Sequence, residues 1–70
     1  MKVRYDNLWK LLIDKKMSKA ELRKKTDIAP NTMTKLSKDE EVSMSILLKI
    51  AEELDCDISD ICEFVKVEGE

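Results

Sequence analysis

Polar and basic side chains follow one another at helical spacing between positions 30 and 38. Asn31, Thr34 and Lys35 would share one exposed face of a helix there, because residues three and four apart are neighbours on a helical surface. An Asn amide on such a face can pair in a bidentate manner with the edge of an adenine, and Thr and Lys lie one turn along. This spacing suits nucleic-acid recognition, with Asn31 as the best candidate for direct base readout.

Further candidate contacts flank this face. Pro30 could touch a thymine methyl group, and Thr32 would meet the DNA backbone or pack at the helix start. Ser37 and Lys38, at the far end of the helix, are candidate phosphate contacts. The alternative is an ordinary polar residue exposed to solvent, and it applies to Asn31, Thr32, Thr34, Lys35, Ser37 and Lys38.

The segment 18–37 carries the start and stop signals of two short helices joined by a tight turn. Ser18 and Glu21 fit the S-x-x-E capping box that begins a helix. Residues 26–28 interrupt the helical pattern, and Pro30 sits where a second helix would take its first residue. The segment is therefore predicted to be a helix-turn-helix, a motif whose second helix enters the DNA major groove.

Charge is divided unevenly along the chain. Residues 1–38 carry eleven basic and four acidic side chains, a net charge of +7, whereas residues 39–70 carry two basic and eleven acidic ones, a net charge of −9. DNA affinity depends on local Lys and Arg near phosphates, so the basic half can bind a duplex while the acidic half points away. The alternative is a solvated helical surface whose sign varies by chance.

Length and composition exclude several classes of protein. Seventy residues form one small domain over positions 1–70, with no histidine and no Gly-rich phosphate loop, so we do not expect an enzyme. One Gly, one Pro, 40% charged and 43% apolar residues are typical of a mostly helical domain. No apolar run approaches the roughly 18 residues of a membrane span, and no signal peptide is evident, which predicts a cytoplasmic protein.

The sequence predicts neither a metal site nor a cofactor. Cys56 and Cys62 are the only cysteines, and without histidine they cannot supply a four-ligand zinc set. We interpret both as small buried hydrophobic residues in a reducing cytosol, with a redox switch as the alternative. Asp57, Asp60 and Glu63 could share a cation, but a helix N-terminus favours carboxylates without any metal.

Apolar spacing and capping residues predict three further helices. The first runs to about Lys15 and has Asp6 as its N-cap. The fourth begins after Ser43 and carries the broadest apolar face of the chain, so we expect it to be the central packing element. Asp57 would cap a short fifth helix, with Asp60 completing a weaker form of the capping box.

Alternating apolar residues indicate a short strand at each end of the chain. Val3 and Tyr5 alternate with charged residues at the start, and Val65 and Val67 do so near the end. The two strands could pair antiparallel with each other, and pairing with a second copy of the chain is equally compatible with the sequence.

With these elements in place, the sequence resembles the Cro and lambda-repressor-like, or Xre-type, helix-turn-helix regulators of bacteria and their phages. The stretch MSKAELRKKTDIAPNTMTKL is similar to the second and third helices of that family, and VSMSILLKIAEELDCDISDICEF to its fourth and fifth. The resemblance covers nearly the whole chain. It implies an all-α, five-helix DNA-binding domain of the stand-alone Cro-like kind, with at most a short two-stranded ribbon formed by the termini.

Three positions depart from the usual pattern of this family. Asp27 stands at a turn position commonly held by Gly, and Asp tolerates the left-handed conformation better than most residues. Arg23 stands where Ala is common and two helices cross closely, so it must extend past its neighbour or the crossing is looser. Ala29 replaces the usual Ser cap of the recognition helix, which costs about 1 kcal/mol and leaves backbone N–H groups free for a phosphate.

The resemblance also implies a function and one further contact. It places Lys19 where the family often has a Gln that touches the DNA backbone, and a positive charge there suits a phosphate. We expect a homodimer that binds double-stranded DNA sequence-specifically in the major groove and regulates transcription, with repression as the favoured outcome. The alternative is a protein-interaction module, such as an antitoxin-like or accessory subunit that holds its partner with the acidic fourth and fifth helices.

Overall fold

The computed structural model describes residues 1–68 as four α-helices, one 3-10 turn and a two-stranded ribbon. In chain order the elements are β1 (Lys2–Arg4), α1 (Asp6–Asp14), α2 (Lys19–Thr26), α3 (Pro30–Ser37), α4 (Met44–Leu54), the 3-10 turn (Ile58–Asp60) and β2 (Glu63–Val65). The predicted end of the domain at residue 70 lies outside the described residues. No helix of the described part has the length and apolar character that crossing a membrane requires.

The predicted fifth helix is wrong, although its capping residues behave as expected. Asp57 accepts a hydrogen bond from the Ile58 amide at 2.6 Å, and the Asp60 carboxylate accepts one from the Asp57 amide at 3.2 Å. The helical path nevertheless ends after a single 3-10 turn. The next residue, Ile61, is fully buried, and β2 begins soon afterwards because it pairs with β1.

The two terminal strands pair with each other in the same chain. They run antiparallel, with Val3 opposite Phe64 and Lys2 opposite Val65. Tyr5 and Val67 lie outside the strands. The structure thus describes pairing within the chain, the first of the two arrangements that the sequence allowed.

Tyr5 ties this ribbon to the loop that follows α3. Its side chain is 1% exposed, and its hydroxyl donates a hydrogen bond to the Glu40 carbonyl oxygen at 2.8 Å. Its backbone N–H donates to a carboxylate oxygen of Asp39 at 3.1 Å. The pKa of the Tyr5 phenol is raised, mainly by burial and further by the nearby Cys62.

Tyr5 also occupies the N-cap position of α1. The prediction that Asp6 would cap this helix is therefore wrong, because Asp6 is the first residue of the helix and pairs with Arg4.

The buried apolar residues of the helix-turn-helix belong to the hydrophobic core of the domain. Eleven buried apolar side chains of the described residues form it, namely Tyr5, Leu8, Leu12, Leu22, Ile28, Met33, Leu36, Leu47, Ile50, Leu54 and Ile61. Helix α4 contributes three of them and begins, as predicted, directly after its N-cap Ser43, whose hydroxyl accepts a hydrogen bond from the Ile46 amide. Its buried face is narrower than the apolar pattern suggests, because Met44 and Leu48 are 60% and 57% exposed.

Candidate nucleic-acid interface

The helix-turn-helix begins with the capping box that its sequence predicts. The Glu21 amide donates to the Ser18 hydroxyl at 3.1 Å, and the Ser18 amide donates to the Glu21 carboxylate at 3.4 Å. These reciprocal bonds satisfy two donors at the start of α2, where the helix itself offers no acceptor. The capping box therefore sets the position of Lys19, the first residue of α2.

The turn between α2 and α3 depends on Asp27. Its backbone is left-handed, with φ 55° and ψ 37°, and its N–H donates to the Arg23 carbonyl oxygen at the end of α2. This confirms that Asp occupies the conformation for which Gly is commonly used. The buried Ile28 side chain then anchors the turn in the core, and Ala29 leads into α3 in an extended conformation.

The N-terminus of α3 has no side-chain cap. Ala29 makes no capping hydrogen bond, and Pro30 at the first helical position has no N–H to satisfy. Thr34 lies one turn along on the exposed face of α3, and its hydroxyl donates a hydrogen bond to the Pro30 carbonyl oxygen at 3.2 Å. The hydroxyl proton is therefore used within the helix, and the hydroxyl oxygen can still accept a hydrogen bond from another group.

Seven of the eight predicted contact residues are exposed, and Thr32 is partly buried. Partial burial fits packing at the helix start, one of the two roles predicted for Thr32. Asn31 is exposed, and among the described residues its side-chain amide makes no hydrogen bond that would compete with a base edge.

A groove between α2 and α3 brings together five of the predicted residues. Its volume is about 360 Å³, and its lining residues are Lys19, Ala20, Arg23, Pro30, Met33, Thr34, Ser37 and Lys38. Three of these side chains are cationic, and no acidic side chain of residues 1–68 lines the groove. An unopposed cluster of cations is the electrostatic arrangement that attracts a phosphate backbone.

Lys35 lies apart from this groove. It lines a different depression, of about 730 Å³, together with Lys2 and the three acidic residues Asp39, Glu40 and Glu41. Neighbouring carboxylates offset the positive potential of a lysine. The sequence grouped Lys35 with Asn31 and Thr34 on one exposed face of α3, and the structure places it outside the lining of the cationic groove.

Two residues of this region were missed by sequence reasoning. Arg23 is partly buried and lines the groove, whereas the family resemblance marked it only as a helix-crossing position. Trp9 in α1 lies against Lys19, with the ammonium 4.2 Å from the centroid of its ring. No spacing rule connects two residues on different helices, so the sequence held no signal for the second contact.

The acidic end of the chain has a different chemistry. Burial raises the pKa of the Cys56 and Cys62 thiols, so both favour the protonated, weakly nucleophilic form. Both are free and partly buried, which agrees with their interpretation as small hydrophobic residues. Asp57 and Asp60 cap the 3-10 turn, and within residues 1–68 no group of acidic or cysteine side chains is arranged to hold a metal ion.

Comparisons with known proteins agree with this geometry. A model of the Cro/C1-type helix-turn-helix DNA-binding domain matches residues 7–66. A solved structure, that of the transcriptional regulator VanUg in crystal form II, is similar with a TM-score of 0.88 and 50% sequence identity, covering 89% of this chain and 83% of that one. No curated protein matches the chain. The resemblance seen in the sequence is confirmed, and the chain belongs to the Cro/C1-type family of helix-turn-helix DNA-binding domains.

Proposed function

We propose that this protein, as a single domain, binds double-stranded DNA sequence-specifically through α3 in the major groove and represses transcription as a homodimer. The observation that carries the proposal is the groove between α2 and α3, where Lys19, Arg23 and Lys38 lie without an acidic neighbour in the lining. Phosphates bound there would hold the domain on the duplex, because such contacts fix position and orientation.

Base recognition would come from the exposed face of α3 next to this groove. Asn31 offers one donor and one acceptor on a single amide, the pattern that matches an adenine edge in the major groove. Thr34 keeps an acceptor oxygen on the same face. Phosphate contacts on the groove side and base contacts from α3 are the division of labour expected of a sequence-specific reader.

The homodimer follows from the size of the reading surface. One helix of eight residues reads only a few base pairs, so a single copy discriminates weakly among sites. Two copies on half-sites about one helical turn apart double the recognised sequence. Repression is the simpler outcome, because occupying a promoter excludes other proteins without a further contact surface.

One observation favours the second candidate function, a protein-interaction module. Met44 and Leu48 are exposed on α4, and this helix belongs to the acidic half of the chain. Exposed apolar side chains beside charged ones are common where proteins meet. A module that works only through this face would not need the cationic groove.

Selection of bound duplexes from a random or host-genomic DNA pool at about 150 mM salt separates the two functions. The unmodified protein and Asn31→Ala are run side by side. We expect an enriched motif that Asn31→Ala loses, and two-fold symmetry of the motif would report the dimer. A folded protein that enriches no sequence would contradict the proposal and favour the interaction module.

A further inference from the structure

The Lys19 side chain is held between two other helices. Its ammonium lies 4.2 Å from the centroid of the Trp9 ring in α1. The same ammonium donates a hydrogen bond to the hydroxyl of Ser37, the last residue of α3, at 3.4 Å. Because Lys19 begins α2, one charged group connects three helices of the domain. A surface lysine without such contacts samples many rotamers.

These contacts leave the Lys19 ammonium able to bind an anion. An ammonium group has three N–H donors, and the Ser37 hydroxyl accepts from one of them. The Trp9 ring attracts the cation through its quadrupole and carries no negative charge that would neutralise it. Within residues 1–68, the groove that Lys19 shares with Arg23 and Lys38 has no carboxylate in its lining. The cation is therefore fixed in direction and not neutralised by an ion pair in its groove.

We propose that Trp9 is a positioning residue for DNA binding. Its ring holds the Lys19 ammonium at the groove, so that a free N–H of this ammonium donates a hydrogen bond to a backbone phosphate of the duplex. This inference rests on the proposed DNA-binding function. Holding the side chain beforehand reduces the rotamer freedom that Lys19 loses when it binds, and preorganisation of this kind raises affinity. The gain is independent of base sequence, because the ligand is a phosphate.

A double-mutant cycle tests this assignment. Trp9→Leu removes the ring and keeps apolar volume, while Lys19→Met removes the charge and keeps an unbranched chain. Affinity is measured for both single variants, the double variant and the unmodified protein, on a selected site and on an unrelated duplex. We expect Trp9→Leu to weaken binding to both duplexes about two- to fivefold, the size of an exposed cation–π contact. In the Lys19→Met background, Trp9→Leu should cause no further loss.

A conservative variant and an optical signal separate positioning from packing. Trp9→Tyr keeps a ring face and should restore part of the affinity that Trp9→Leu loses. Trp9 is the only tryptophan of the chain, so its fluorescence reports its surroundings directly. We expect duplex binding to change this fluorescence in the unmodified protein and to change it much less in Lys19→Met. The fluorescence test needs no substitution at Trp9, so it stands even if Trp9→Leu fails to fold.

Two results would overturn the inference, and they are distinguishable. If the unmodified protein binds duplexes but Trp9→Leu costs the same affinity with and without Lys19, Trp9 acts through packing alone. If the unmodified protein binds no duplex with salt-dependent affinity, the DNA-binding proposal fails, and the assignment of Trp9 fails with it.

Discussion

The helix-turn-helix and the C-terminal part of the chain expose surfaces of different chemical character to solvent. On α2 and α3 the large apolar side chains Leu22, Met33 and Leu36 are buried, and most of the exposed residues are polar or cationic. From α4 onward the exposed surface combines carboxylates with large apolar side chains, including Leu48 and Phe64, which is 72% exposed. One domain thus has a face suited to a polyanion and another suited to protein contact.

Each region owes its surface to a different kind of constraint. In the helix-turn-helix, short-range hydrogen bonds of the capping box and of the turn fix the positions of the helices that line the groove. The C-terminal part closes the core through Leu54 and Ile61 and pairs β2 with β1. Its outer apolar side chains do not contribute to that core, so they remain available for another protein or a second copy.

The largest expected effect is on the free energy of unfolding, which should respond differently to the same substitution in the two regions. Leu36→Ala removes a fully buried side chain of α3 and should lower the free energy of unfolding by about 2 to 5 kcal/mol. Leu48→Ala is the matched control on α4, where the same change at an exposed position should stay within about 0.5 kcal/mol. Chemical denaturation of both variants measures this. Equal losses that depend on protein concentration would show that Leu48 is buried between copies.

The next largest effect separates base recognition from general stability. Asn31→Ala should cost about 1 to 3 kcal/mol of binding free energy on the selected site and relax base preference there. Asn7→Ala is the control, because Asn7 lies in α1 and donates a hydrogen bond to the Ser59 carbonyl oxygen in the 3-10 turn. Titrations of labelled duplex compare the two variants. Similar losses from both would refute the assignment of Asn31 to base readout.

A smaller effect concerns the link between the ribbon and the end of α3. Tyr5→Phe removes the hydrogen bond to the Glu40 carbonyl oxygen and should lower the free energy of unfolding by about 1 kcal/mol. Thermal or urea unfolding at neutral pH measures this change. An unchanged stability would show that this bond contributes nothing to fixing the loop after α3.

Tyr5 also gives stability a dependence on alkaline pH. Burial holds the pKa of Tyr5 above its ordinary value of 10.0, so the folded state retains the phenol proton more tightly than the unfolded chain. The resulting stabilisation is complete below pH 10 and is lost as pH rises through the higher folded pKa. Tyr5→Phe should therefore lose less stability than the unmodified protein above this pH. Denaturation curves collected across the alkaline range would contradict this if the two proteins declined in parallel.

How much of this molecule the sequence predicts depends on how local the determining contacts are. Ser18, Glu21, Asp27 and Pro30 act within a few residues of themselves, so capping and turn rules predict α2, the turn and α3. The fifth helix was predicted from Asp57 by the same rules, but strand pairing with the other end of the chain overrides a local helical preference. Pairing partners distant in sequence leave no trace in helical spacing.

The candidate site divides in the same way. Exposure of Asn31 and Thr34 follows from the period of α3, and the sequence predicts it correctly. The placement of Trp9 against Lys19, and of Lys35 among carboxylates of the next loop, depends on how helices pack together. These distances between elements cannot be read from one sequence, so the position of Lys35 outside the cationic groove is seen only in the structure.

The salt dependence of duplex binding tests the central claim most directly, because it counts the phosphates that the protein neutralises. The comparison is between Lys19→Met in the groove and Lys49→Met, which removes a lysine that lines a depression with Glu52 and Glu53 on α4. The slope of log affinity against log salt is negative, and we predict that Lys19→Met makes it shallower by roughly 1. Lys49→Met should leave the slope unchanged. Identical slopes for the unmodified protein and both variants would contradict the assignment of DNA binding to the groove between α2 and α3.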